Sequence, residues 1–148
     1  MTTPPPYIQG RGPIPSKIMV VAAAATADDL WKGYPLAGHS GDFFSKLLHE
    51  AGILRTECYV TTVLKVRPKN DEVEDLYTQT KTAAQRFGLS DTYNGTWVKP
   101  GIPELFAQLH EEIAQVQPEV IIALGDFAMF ACTGVYGAVA TWRGSHLD

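Results

Sequence analysis

Gly33-Tyr34-Pro35-Leu36-Ala37-Gly38-His39-Ser40-Gly41 and, downstream, Tyr59-Val60-Thr61-Thr62-Val63-Leu64-Lys65-Val66-Arg67-Pro68 are the two segments on which the fold turns. The first is a glycine-punctuated loop that opens an amphipathic helix; its glycines let backbone approach a ligand closely, and Pro35 stiffens the entry. The second is a strand rich in Val, Thr and Tyr that ends in a basic loop. Just upstream, the continuous apolar run KIMVVAA over 17–23 has the β-branched content of a buried parallel strand. Ala24 to Ser40 reads as a long loop. Gly41 to Gly52 reads as a helix with Phe44, Leu47, Leu48 and Ala51 on one face and Gly52 as its stop.

Further out, residues 1–16 hold five of the ten prolines and are expected to form an extended arm, leaving 17–148 as one α/β domain. Asp71 to Phe87 has helical composition with a weak apolar stripe. Gly88 to Gly101 reads as an exposed excursion with turns at Asn94-Gly95 and Pro100-Gly101. In 103–116, Leu105, Leu109, Ile113 and Val116 recur at helical spacing, with Pro103 in the first turn. Glu119 to Leu124 predicts a third buried strand, and Gly125 a turn into a helix through Cys132. Strands alternating with helices predict a three-layer α/β/α arrangement on a short parallel sheet.

A chain of 148 residues suffices for one domain with a real core. Its longest apolar run, Ile18 to Ala25, is too short to span a bilayer, and no membrane role is expected. The N-terminus lacks the charged-then-apolar pattern of a signal peptide, so a cytoplasmic setting is the expectation. The two cysteines, Cys58 and Cys132, sit in apolar contexts and read as structural thiols. A formal charge of −4 argues against broad non-specific nucleic-acid binding but leaves room for a local basic patch. Such a patch is written at Lys65, Arg67 and Lys69, with Arg55 nearby in sequence. A nucleotide-binding module is disfavoured, because the first strand is followed by neither G-x-G-x-x-G nor G-x-x-x-x-G-K-[ST].

The G-x-P-x-x-G-x-S-G loop and the strand ending in K-x-R-P together resemble the uracil-DNA glycosylase superfamily, most of all its iron–sulfur-type members and their phage relatives. The resemblance covers roughly 17–68 and 103–145 and implies that fold, with DNA as partner. Excising a base requires flipping it from the stack, gripping it, and stabilising an oxocarbenium-like sugar while water attacks. The resemblance assigns positions to these tasks. Ala23 stands where the family carries the acid that positions water, and a methyl group cannot polarise water. Asp28 and Asp29, a few residues on, are the candidate catalytic carboxylates. Leu36 occupies the place of the aromatic that stacks on the flipped base, with Tyr34 two residues before it and His39 beyond, where a ring would meet a phosphate or a base.

Thr62 replaces an asparagine that reads the uracil edge; a hydroxyl serves as donor or acceptor, not as the amide's pair. Gly38, Ser40, Lys65, Arg67 and Lys69 are the expected DNA contacts. Val66 replaces a cluster-ligating cysteine, and two cysteines cannot supply four thiolates, so no cofactor and no metal are expected. Trp142-Arg143-Gly144 resembles the segment before the family's last strand. That strand, with its H-P-S-type loop, is expected to be lacking; His146 has no proline after it and receives no role.

Two functional readings follow. One is a base-excision glycosylase working by N-glycosidic hydrolysis. The other is a catalytically silent or split glycosylase fold that binds DNA or a replication protein, or is completed by a second polypeptide at an uncovered sheet edge. The substitutions at Ala23, Leu36 and Thr62 point to weak or absent excision by this chain alone.

Overall fold

The structure, a computed structural model, describes residues 7–69 and 72–137. Three parallel strands form the central sheet: β1 (Ile18–Ala24), β2 (Cys58–Leu64) and, after β3–β5 below, β6 (Val120–Ala123), in the order β2-β1-β6. Register pairs Val20 with Val60 and Ala22 with Thr62 on one side, and Val20 with Ile122 on the other. β1 sits centrally and is apolar throughout, since both of its faces are covered.

Helices take opposite faces. α2 (His39–Glu50) covers one, where Val20, Leu48, Cys58 and Val60 form a small core. α4 (Ile102–Val116) and α5 (Asp126–Thr133) cover the other with Phe106, Leu109, Phe127 and Phe130 against Met19, Val21 and Val63. The fold is therefore the three-layer α/β/α arrangement that the sequence predicts.

Several elements differ from the sequence reading. The segment expected as loop over 24–40 contains α1 (Ala27–Lys32), a single short helix closed by a capping box between Thr26 and Asp29 and by Gly33 in the left-handed region. Within 72–87 only α3 (Lys81–Phe87) is α-helical. Before it come one 3₁₀ turn at Glu74–Leu76 and the two-residue strand β3 (Tyr77–Thr78).

The stretch 88–101 is not an exposed excursion. Its strands β4 (Asp91–Tyr93) and β5 (Thr96–Val98) form a hairpin through Asn94-Gly95, both at positive φ (50° and 81°), which suits the twist of the flanking strands. β3 pairs with β5 to complete a second, antiparallel sheet. Val98 and Leu89 are buried, and Tyr77 and Tyr93 pack on Phe127, Phe130 and Phe106 with ring centroids 5.0–5.7 Å apart.

β6 is not fully buried either: Val120 is 46% exposed and Ile121 36%, as an outer strand permits. The expected absence of a further strand concerns 138–148 and lies outside the described residues.

Residues 7–16, with Pro13 and Pro15, run extended and lie along the free edge of β2. Ile8 N–H donates to Lys65 O (2.8 Å), and Arg11 and Val60 exchange backbone hydrogen bonds of 2.8 and 2.9 Å. Ile8 is buried, and Ser16 Oγ donates to Glu57 O at 2.8 Å. An otherwise open sheet edge is thereby covered.

A candidate nucleic-acid site at the carboxyl ends of the parallel strands

The connection from β1 leads to β2 on one side, and the connection from β2 returns past β1 to β6 on the other. In such sheets the two connections part at the carboxyl end of the central strand and leave a crevice there. The walls are the β1–α1 turn, the loop Gly33–Gly38 into α2, the loop after β2 and the Gly125 turn after β6. The two sequence motifs are thus brought to one end of the sheet.

The loop into α2 is built on contact too close for side chains. A Cβ on Gly41 would lie 1.8 Å from Leu36 O, and one on Gly38 would lie 2.7 Å from Asp28 Oδ2. Gly38 is the N-cap of α2 with no side-chain cap hydrogen bond, and His39 and Ser40 in its first turn are exposed. Asp28 lies at this helix N-terminus, where a negative charge is favourable. It is exposed, and no hydrogen bond from its side chain occurs among the described residues.

Asp29 is differently placed. It is 2% exposed, its Oδ2 accepts from Thr26 N–H (3.3 Å) and its Oδ1 from Ala37 N–H (2.8 Å). Its carboxylate pins the loop to α1. The two adjacent acids therefore part company: Asp28 is available to a ligand, and Asp29 is built into the frame.

The base-pocket candidates are similarly divided. Ala23 is half-buried against the main core. Leu36, at φ 53°, packs its side chain on the α2-side core while its carbonyl accepts from Arg55 at 2.7 Å. Tyr34 lies beneath two guanidinium groups, Arg11 at 4.9 Å and Arg55 at 5.6 Å from the ring centre. Thr62 is 1% exposed, and its hydroxyl has no hydrogen-bond partner among the described residues.

In the basic segment, Arg67 and Lys69 are exposed, whereas Lys65 is drawn inward. Its ammonium donates to Thr61 Oγ1 (2.7 Å), Thr62 O (3.0 Å) and Glu112 Oε1 (2.9 Å). Glu112, from α4, also accepts from Tyr59 OH at 2.6 Å and from Thr61 Oγ1 at 2.9 Å. Burial, and then the hydrogen bond to Glu112, hold the Tyr59 phenol well above its usual pKa. Glu112, Arg11 and Arg55 are the residues whose placement the sequence reading misses. Glu112 looks like one more polar residue on an amphipathic helix, and nothing local marks its reach to β2. Arg55 turns to the Pro35–Leu36 carbonyls.

A model of the uracil DNA glycosylase superfamily matches residues 9–147. The chain belongs to that superfamily. Among curated proteins it is similar to the Type-4 uracil-DNA glycosylase of Archaeoglobus fulgidus, at 27% identity over 122 residues, or 82% of this chain and 50% of that protein. The Type-4 uracil-DNA glycosylase of Thermotoga maritima is 26% identical over 145 residues, 95% of this chain and 62% of that one. That of Pyrobaculum aerophilum is 27% identical over 118 residues, covering 80% and 48%. The chain spans about half to three-fifths of the length of these relatives.

The iron–sulfur cluster carried by such members does not fit this chain. The chain has two cysteines, too few for the four thiolates of such a cluster, and Val66, expected in place of a ligating cysteine, forms a backbone bridge with Tyr7. Burial pushes the Cys132 thiol up to about 11 and raises that of Cys58, opposing the thiolate form that binds iron. Among the described residues no group of three His, Cys, Asp or Glu side chains is gathered for a metal. No described helix is long and apolar enough to cross a membrane.

Proposed function

We propose that this domain binds DNA across the crevice and hydrolyses the N-glycosidic bond of an extruded base slowly, with Asp28 as the acid that orients water. The observation that carries this reading is the contrast between the two carboxylates. Asp28 stands exposed at the mouth of the crevice beside the N-cap of α2, while Asp29 is consumed by the loop.

Phosphates approach the exposed first turn of α2 and the exposed Arg67 and Lys69. Lys65 serves chiefly to hold the end of β2. Excision is slow because Ala23 supplies no acid directly under the sugar and Leu36 no aromatic face. Loss of a well-placed general acid or base costs roughly 10²–10⁴ in rate.

A second reading, a silent DNA-binding fold, is favoured by the buried Thr62 hydroxyl, which must be uncovered before it can meet a base edge. Binding is tested by fluorescence anisotropy of a labelled oligonucleotide at low salt. Lys69→Glu is expected to weaken binding several-fold with no loss of thermal stability. Equal affinity in the variant would remove the crevice from the DNA path.

A further inference from the structure

On the outer edge of β2, towards the amino end of that strand, the docked arm and Tyr34 of the loop into α2 border an open cavity of about 460 Å³. Arg11, Tyr34, Arg55 and Thr56 supply its polar wall, and Pro13 and Val60 part of its apolar floor. We propose that this cavity is a phosphate-recognition subsite, taking the phosphate of a nucleotide further along the bound strand from the one in the crevice. The proposal rests on the DNA-binding reading above and adds to it a second point of contact, built from the N-terminal arm.

Charge is the first argument. The chain carries a formal charge of −4, yet two guanidinium groups converge on one tyrosine ring, at 4.9 and 5.6 Å, and no acidic side chain lines the cavity. Two guanidinium groups at one ring favour an anion between them, and the one acid near the wall, Glu57, is exposed and outside the lining. Arg11 is exposed and makes no ion pair among the described residues.

Rigidity is the second. Arg55 donates to Leu36 O (2.7 Å), Ser45 Oγ (3.2 Å) and Pro35 O, all neutral acceptors that orient the guanidinium and leave its charge uncancelled. A planar, always-charged fork held in this way suits a phosphate. Thr56 adds an exposed hydroxyl. The buried Cys58 thiol in the wall, held neutral by its raised pKa, adds no competing anion.

Size and connection complete the case. The volume falls in the range of small-ligand sites and exceeds what a bare phosphate needs, so a nucleotide enters with it. The carbonyls that Arg55 holds belong to the loop that carries Gly38 to the crevice, so the two sites share one rigid segment.

The test uses the whole chain. Affinity for a labelled single-stranded oligonucleotide is measured across a salt series for the unaltered protein, Arg11→Gln and Thr56→Glu, both changes at exposed positions. Melting temperature is followed with inorganic phosphate and with a deoxynucleoside monophosphate. A DNA-backbone phosphate in the cavity predicts weaker binding in both variants and a log–log salt slope shallower by about 0.7 in Arg11→Gln. Free nucleotide as the source predicts a melting rise with the monophosphate that both variants lose. An unchanged salt slope together with no variant-sensitive melting rise overturns the subsite. So does competition by an acidic peptide but not by phosphate. If the unaltered chain binds no oligonucleotide, the crevice reading fails by itself, and the monophosphate measurement alone decides the cavity.

Discussion

Two neighbouring aspartates in one short helix have opposite fates, and the difference is hydrogen bonding. Asp29 accepts from Thr26 and Ala37 backbone N–H groups in a buried setting, so Asp29→Ala leaves two donors unmet. We expect a loss of about 1–2 kcal/mol, read as a lower urea midpoint, while Asp28→Ala shifts it little. Glu112 is the second residue whose role is set by reach. It ties Lys65, Tyr59 and Thr61 together from another element. Glu112→Gln keeps the shape but removes the charge, freeing Lys65 from its ion pair. The expected result is tighter oligonucleotide binding at low salt with a steeper salt dependence; unchanged binding would mean that Lys65 does not face DNA at all.

At the scale of elements, the long apolar and periodic segments were legible and the short ones were not. KIMVVAA, the Val- and Thr-rich strand and the 103–116 stripe each carry enough residues to show their period, and each forms the expected element. α1 has six residues, too few for a face to repeat; the readable signal was the Thr26–Asp29 capping pair. The hairpin was announced by Asn94-Gly95, but strands of three residues show no alternation, and their burial comes from packing on α4 and α5, which the strands' own residues do not reveal.

Within the site, motif spacing placed the loop and the basic segment together. It could not tell which side chains turn inward, because Lys65 is captured by Glu112 from a distant helix and Asp29 by the Ala37 N–H of a loop that only the fold brings back. The aromatic layer between hairpin and helices has a pH consequence. Burial, with Asp126 nearby, pushes the Tyr77 phenol up to about 12 from 10, and burial pushes the Cys132 thiol to about 11 from 9. Both groups are held protonated by the fold, so their contribution is complete below about pH 9 and is lost as pH rises through 9–12. Urea midpoints should be level from neutral pH to about 9 and then fall, with a shallower fall above pH 10 in Tyr77→Phe. A midpoint that stays level through that range would contradict the burial of these groups.

The whole molecule is a glycosylase-superfamily frame in which two expected site residues, Asp29 and Lys65, are held by hydrogen bonds within the fold. The arm closes the β2 edge, Asp29 and Arg55 brace the loop into α2, and Lys65 is paired with Glu112. Exposed at the crevice are Asp28, His39 and Ser40 at the start of α2, and Lys69 after β2. The most direct test is single-turnover cleavage of single- and double-stranded oligonucleotides carrying one uracil, with Asp28→Ala and Asp29→Ala alongside. The account predicts slow abasic-site formation that Asp28→Ala abolishes and that Asp29→Ala retains at temperatures where it is folded. No abasic product from the unaltered chain under conditions where it binds the same DNA, or undiminished product from Asp28→Ala, would contradict it.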